Sequence, residues 1–68
     1  MILPLAISVV VPIYNEEDSL KELIEQLLSA LRPTNERFEL VLVNDGSTDG
    51  TSKVLSQLCR DIPELVGV

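Results

Sequence analysis

Ala6-Ile7-Ser8-Val9-Val10-Val11-Pro12-Ile13-Tyr14-Asn15-Glu16-Glu17 begins as a run of mostly aliphatic residues and then turns abruptly polar. A continuous apolar run from Ala6 to Val11, closed by Pro12, predicts a strand covered on both faces, an interior member of a parallel sheet. After the turn Ile13-Tyr14-Asn15, apolar residues fall at Leu20, Leu23, Ile24, Leu27, Leu28 and Leu31. This is helical spacing, with Glu and Lys on the opposite face. Asn15 or Ser19 can cap the helix start, Ser19 together with Glu22 as a capping box, and Pro33 ends the helix. The pattern then repeats. Phe38-Glu39-Leu40-Val41-Leu42-Val43 predicts a second strand, and Asp45-Gly46-Ser47-Thr48-Asp49-Gly50 is a dense cluster of turn residues. Val54, Leu55 and Leu58, with Cys59 and Ile62 at the margin, form the apolar face of a second helix that Pro63 stops. Leu65-Val66-Gly67-Val68 opens a third strand.

Strand, helix, strand, helix, strand is a pair of right-handed parallel crossovers, so the fold class is α/β. Such sheets bind ligands at the carboxyl ends of their strands, where Tyr14-Asn15-Glu16-Glu17 and Asn44-Asp45-Gly46-Ser47 both fall. There are no internal repeats, low-complexity segments or linkers, and the chain breaks off inside its third strand. Residues 1–68 are therefore read as one partial, truncated domain.

Composition supports that reading. A chain of 68 residues is short for an independent core, and its single cysteine, Cys59, and absence of histidine rule out an internal disulfide or a zinc staple. The unpaired cysteine fits a reducing, cytoplasmic setting. Hydrophobic residues make up 46% of the chain, more aliphatic surface than so small a solvated domain needs, so part of it calls for covering by more chain. The partners expected on these grounds are the rest of a larger enzyme or a second copy pairing at an exposed strand edge. A net charge of −6 with five scattered basic residues argues against nucleic acid and against anionic membrane surfaces. Met1 to Pro12 is apolar, but Pro4 interrupts it and no basic flank precedes it, so it is read as a buried strand rather than a signal peptide or a spanning helix.

The polar loops bring Pro12, Tyr14, Glu16 and Asp45 toward one crevice. An aromatic ring can stack on a base, a carboxylate can accept from a base N–H or from ribose hydroxyls, and free amides at helix starts favour anionic groups. Asn15, Ser47, Thr48 and Asp49 also suit ordinary caps and turns, and Glu17 suits the acid favoured in a first helical turn. Tyr14 and Asp45 are not required by a cap. Three other motifs fail on the same residues. Asp45-x-Ser47-x-Asp49-Gly50 imitates half of a calcium loop, but its twelfth position is Ser56 and a strand precedes it. An aspartyl-phosphate loop needs a second carboxylate where Ser47 stands. The glycines fit neither a dinucleotide fingerprint nor a Walker loop.

Ile7 to Glu17 and Val41 to Thr51, taken together at this separation, resemble the opening of family-2 glycosyltransferases, and Pro-Ile-Tyr-Asn-Glu-Glu with Val-Asn-Asp-Gly-Ser-Thr-Asp is most similar to the polyprenyl-phosphate branch, with its dolichol-phosphate mannosyltransferases and bactoprenol glucosyltransferases. The resemblance runs from Ile7 to the end of the chain. It implies the N-terminal β-α-β-α-β part of the GT-A, Rossmann-like fold of nucleotide-diphospho-sugar transferases. It further implies a nucleotide-diphosphate-sugar donor bound by Pro12, Tyr14 and Glu16, with Asp45, facing Tyr14, on the base. Asn44 departs from the Asp-Asp common in the wider family, which leaves Asp45 as the acid of interest. The implied reaction is inverting transfer to an acceptor, a lipid phosphate in that branch, at the cytoplasmic face of a membrane. A divalent cation, Mg2+ or Mn2+, would neutralise the diphosphate, but the family's metal-binding Asp-x-Asp, its acceptor site and its base lie beyond the third strand. No residue of this chain is assigned a catalytic or metal-binding role. A non-catalytic α/β module of the same descent, binding nucleotide or a partner protein, is the competing expectation, and an Asp-x-Asp further along would favour the enzyme. The short chain and its open strand edge also imply poor stability or self-association in isolation.

Overall fold

The computed structural model describes residues 4–68. The first part of the apolar run, at residues 1–3, lies outside the described residues. Strand β1 spans Leu5–Ile13, helix α1 Leu20–Leu31, strand β2 Arg37–Asn44, helix α2 Thr51–Asp61 and strand β3 Leu65–Gly67. A short 3-10 turn at Arg32–Thr34 prolongs α1, with Pro33 placed where its missing N–H costs nothing. Asn35 then takes a left-handed conformation, φ 58°, to release the chain toward β2. The sheet is parallel, in the order β1-β2-β3.

Alternation along the strands decides where the core lies. Ile13 on β1, Phe38, Leu40 and Leu42 on β2, and Leu65 on β3 are buried against Leu20, Ile24 and Leu28 of α1 and Leu55 of α2. The intervening residues point the other way. Successive crossovers of one hand that step in one direction across a sheet deliver their helices to the same face. Both helices accordingly cover one face, and none of the described residues covers the other. Two expectations for β1 are corrected by this. It is an edge strand among the described residues, and it is covered on one face instead of two, with Val10 64% exposed. The apolar run was real, but it records what that strand tolerates on both faces, which one layer of helices cannot supply.

The uncovered face is ordered in rows by the register. Ser8 stands beside Glu39, Val10 beside Val41 and then Val66, and Pro12 beside Val43. The Ser8 hydroxyl donates to Glu39 Oε1 at 2.9 Å, the polar pair in an otherwise apolar set of rows. β1 also runs through Pro12 to Ile13 instead of stopping at the proline. A proline without a ladder donor is accommodated because the strand lies at an edge. An irregularity between Leu5 and Ile7 inserts Ala6 without a partner on β2.

Candidate functional site

Both strand-to-helix loops emerge from the carboxyl edge of the sheet, side by side. Ile13 and Asn44 are register partners at the ends of β1 and β2, and the Asp45 N–H donates to the Ile13 carbonyl at 3.1 Å. Tyr14 and Asp45 are thus the first residues past a bonded pair of strand ends. Tyr14 is 60% exposed and Asp45 is exposed, so both present their side chains to solvent at the sheet's edge. Pro12 lies just behind them on the uncovered face of the sheet. Glu16 is half-buried, and its Oε2 accepts from the Ser19 hydroxyl at 2.7 Å, which engages that carboxylate with the first turn of α1. The structure therefore groups Pro12, Tyr14 and Asp45, and sets the Glu16 carboxylate toward the helix.

The loop amides that lead into α1 at Asn15, Glu16 and Glu17 do not stand free for an anion. Three successive N–H groups are taken by side-chain oxygens from the second loop and the start of α2. Asn15 N–H donates to Ser47 Oγ at 3.0 Å, Glu16 N–H to Thr51 Oγ1 at 2.8 Å, and Glu17 N–H to Asp49 Oδ2 at 3.4 Å. In return Asn15 Oδ1 accepts from the amides of Thr48, at 2.8 Å, and Asp49, at 3.4 Å. Asp49 also serves its own loop. Its Oδ1 accepts the Thr51 N–H at 2.9 Å and a short bond from the Thr51 hydroxyl. That hydroxyl is the largest cause holding the Asp49 carboxyl below the usual aspartate range, with the Thr51 and Glu17 amides adding to it. Thr51 itself is fully buried.

These bonds also revise the capping. α1 begins at Leu20, and Ser19 makes no side-chain cap, so the capping box with Glu22 does not form. The Glu16 carbonyl instead accepts from Ser19 and Leu20, at 3.1 and 2.8 Å. Asn15 does not cap its own helix either, since its side chain is spent on the neighbouring loop. Its φ of +49° is what turns it there, a conformation asparagine tolerates better than most residues. Thr51 was missed as a functional contact by the sequence reading. The available signal was a hydroxyl residue at the first position of a helix following Asp-Gly, where a threonine normally reads as a simple helix start.

Asn44 is turned to the helix side of the sheet, where its Nδ2 donates to Ser52 Oγ at 2.6 Å while its buried Oδ1 has no partner. Asp45 alone of the pair is left at the open edge. A carboxylate at position 44 would bring charge to a half-buried place beside α2, which gives a physical reason for the amide there.

Comparison with known proteins places this geometry in a lineage. The family model described as Glycosyl transferase family 2 matches residues 8–66. The chain belongs to glycosyl transferase family 2. Its β-α-β-α-β sheet is the opening part of that family's GT-A, Rossmann-like fold. Among curated relatives, an undecaprenyl-phosphate 4-deoxy-4-formamido-L-arabinose transferase of Proteus mirabilis is 43% identical over 51 residues, which is 75% of this chain and 16% of that protein. The protein of the same name from Photorhabdus laumondii is 49% identical over 51 residues, again 75% of this chain and 16% of the relative. An uncharacterized glycosyltransferase of Synechocystis is 49% identical over 49 residues, 72% of this chain and 15% of its own length. The names agree with the polyprenyl-phosphate branch read from the motifs. The family-2 chain spans about a sixth of the length of the relatives it matches.

The resemblance implies a divalent cation, and the residues present do not fit one. Among the described residues no group of three or more His, Cys, Asp or Glu side chains is placed to hold a metal ion, so no step through a cation is assigned to them. No helix among the described residues is long and apolar enough to cross a membrane.

Proposed function

We propose that the chain forms the donor-binding edge of a glycosyltransferase that moves a sugar from a nucleoside diphosphate to an acceptor, with inversion, and that the acceptor is a polyprenyl phosphate. The observation that carries the reading is the Asp45 N–H to Ile13 carbonyl bond, which fixes Tyr14 and Asp45 side by side at the open carboxyl edge of a family-2 sheet. Tyr14 offers an apolar face with one polar end, suited to stacking on a base. Asp45 offers an acceptor-only carboxylate, suited to the N–H of a uracil or guanine ring. Pro12 supplies a rigid apolar floor beside them, and Glu16, bonded to Ser19, reaches ribose hydroxyls by leaving that local bond. The lipid-phosphate acceptor is supported by the relatives named as undecaprenyl-phosphate transferases, and with such an acceptor the reaction would take place at a membrane surface, the cytoplasmic face on the family resemblance. Residues of the longer protein supply the acceptor site, the base and the ligands of any divalent cation.

Calorimetric titration of UDP and GDP, with Mg2+ present, into wild-type and Asp45→Asn protein tests the reading. Asn keeps the size and one acceptor oxygen but replaces the charged acceptor with an amide that aims a donor at a donor. Because a hydrogen bond to a charged group is worth about 1.5–3 kcal/mol, affinity is expected to fall on the order of tenfold to a hundredfold. If Asp45 only shapes the turn, Asn serves equally well, and equal affinities in folded proteins refute the donor role.

A further inference from the structure

Asn15 does work that neither a cap nor a donor contact explains. Its backbone is held at φ +49° while its Oδ1 receives two amides of the second loop, Thr48 and Asp49, and its own N–H goes to Ser47 Oγ. One residue therefore holds the second loop by both its main chain and its side chain. The residue before it is Tyr14, and the loop it grips begins with Asp45.

We infer that Asn15 is a positioning residue for donor recognition, a clasp that fixes the Tyr14 ring relative to the Asp45 carboxylate by locking the two strand-end loops together. The inference rests on the proposed donor reading of Tyr14 and Asp45. The Asp45 N–H to Ile13 carbonyl bond sets the two chains side by side only up to the strand ends. Past that point each loop follows its own course, and a stacking ring and a hydrogen-bonding carboxylate must meet one base with both correctly oriented. A small rotation of either loop forfeits one of the two contacts. The bonds of Asn15 are the first that tie the loops beyond the strand ends. Those of Thr51 and Asp49 to the Glu16 and Glu17 amides anchor the far side, toward α1. Asn15 is thus the tie next to the proposed base contacts, and the left-handed backbone is what lets its short side chain reach across.

Substitution separates the clasp from a merely structural role. Asn15→Gly keeps the backbone freedom and removes the side-chain acceptor, whereas Asn15→Asp keeps both the acceptor and a tolerance of positive φ. UDP and GDP titrations, with Mg2+ present, are run on wild type and on both variants, alongside thermal unfolding and amide exchange at Thr48 and Asp49. The expected result is a loss of affinity of about tenfold in Asn15→Gly, equivalent to about 1.4 kcal/mol, with faster exchange at Thr48 and Asp49, and recovery of most of the affinity in Asn15→Asp. Equal affinity in folded Asn15→Gly overturns the clasp and leaves the donor reading intact. A loss that Asn15→Asp fails to recover overturns it as well. If wild type binds neither nucleotide, the donor reading fails and the clasp's role in recognition fails with it. Should Asn15→Gly not fold, Ser47→Ala removes the acceptor of the Asn15 N–H from the other side, and unchanged affinity there overturns the inference.

Discussion

Thr51→Val is the substitution that best probes how the two loops are held. Valine has nearly the shape of threonine, so the fully buried site keeps its packing while the hydroxyl's bonds vanish. Thr51 Oγ1 accepts the Glu16 N–H at 2.8 Å and donates to Asp49 Oδ1. The Glu16 amide, left half-buried against a methyl group, loses its partner, which costs about 1–3 kcal/mol. Asp49 keeps the Thr51 and Glu17 amides and is exposed to water, so its share of the loss is small. Thr51→Ser makes the opposite exchange, keeping both bonds and deleting one buried methyl, at a cost of about 1 kcal/mol. Valine is therefore expected to be the more damaging of the two. Urea titrations followed by circular dichroism measure both, in sucrose if needed to hold so short a chain folded. With a slope of about 1–2 kcal/mol per molar urea, the valine protein should unfold at a midpoint lower by about 0.5–3 M, and the Glu16 amide should exchange faster. A valine protein as stable as wild type, with serine the weaker variant, would show that the methyl group and not the hydroxyl holds the site, and the account of the loop linkage would be wrong.

The loops yield further expectations. Gly46 sits at φ +71° with no atom within 4 Å of an added Cβ, so Gly46→Ala should cost about 1–2 kcal/mol through backbone strain alone, and Gly46→Asn should cost less. Thermal midpoints rank the three, and an alanine protein no less stable than the asparagine one would contradict the assignment to strain. For Asp49 the folded-state carboxyl titrates below its unfolded value of about 3.9, because the Thr51 hydroxyl and the amides of Thr51 and Glu17 favour the charged form. Between those two values the unfolded chain binds more protons, so stability rises with pH through that window. The contribution is complete above about pH 5 and is lost as pH falls through the folded-state value; urea midpoints of wild type and Asp49→Asn from about pH 3 to about pH 6 should converge on the acid side, and parallel profiles would refute it.

How much of this was legible in the sequence follows from which forces act locally. The strands, the helices and their order were readable because hydrophobic spacing at Leu20, Ile24, Leu28 and Leu55 is imposed by burial against one sheet, and burial leaves a periodic trace. Edge position left no such trace. The run Val9-Val10-Val11 reads the same in a strand covered on both faces and in one covered on a single face, because aliphatic residues stand at exposed and buried positions alike. The caps were misread for a related reason. Ser19 with Glu22, and Asn15 near a helix start, satisfy the local rules for capping, but a side chain is claimed by whichever donors it meets first. Once the Asp45 N–H to Ile13 carbonyl bond joins the two strand ends, the amides of a loop remote in sequence are nearer to Asn15 than those of its own helix. No window of neighbouring residues contains that information. The placement of Tyr14 and Asp45 at adjacent strand ends was legible from the strand-helix-strand order, which puts both strand-to-helix loops at the carboxyl edge of one sheet.

The loop bonds also bear on which part of a donor the proposed site could take. Helix starts commonly hold phosphate through unpaired amides and the positive end of the helix dipole. Here the loop amides of Asn15, Glu16 and Glu17 before α1 and of Thr48 and Asp49 before α2, with that of Thr51 at the first position of α2, are already satisfied by protein oxygens. The same loops carry Glu16, Glu17, Asp18, Asp45 and Asp49, in a chain of net charge −6. A diphosphate brought to those amides would have to displace satisfied bonds and meet like charge, and both effects oppose it. On the proposed donor reading, the uncharged parts of the donor, base and ribose, are what suit this edge, by stacking on Tyr14 and by donating to carboxylates. Loops that bond to each other instead of to phosphate would keep those two proposed contacts rigid, and on the same proposal neutralisation of the diphosphate falls to groups other than these loop amides.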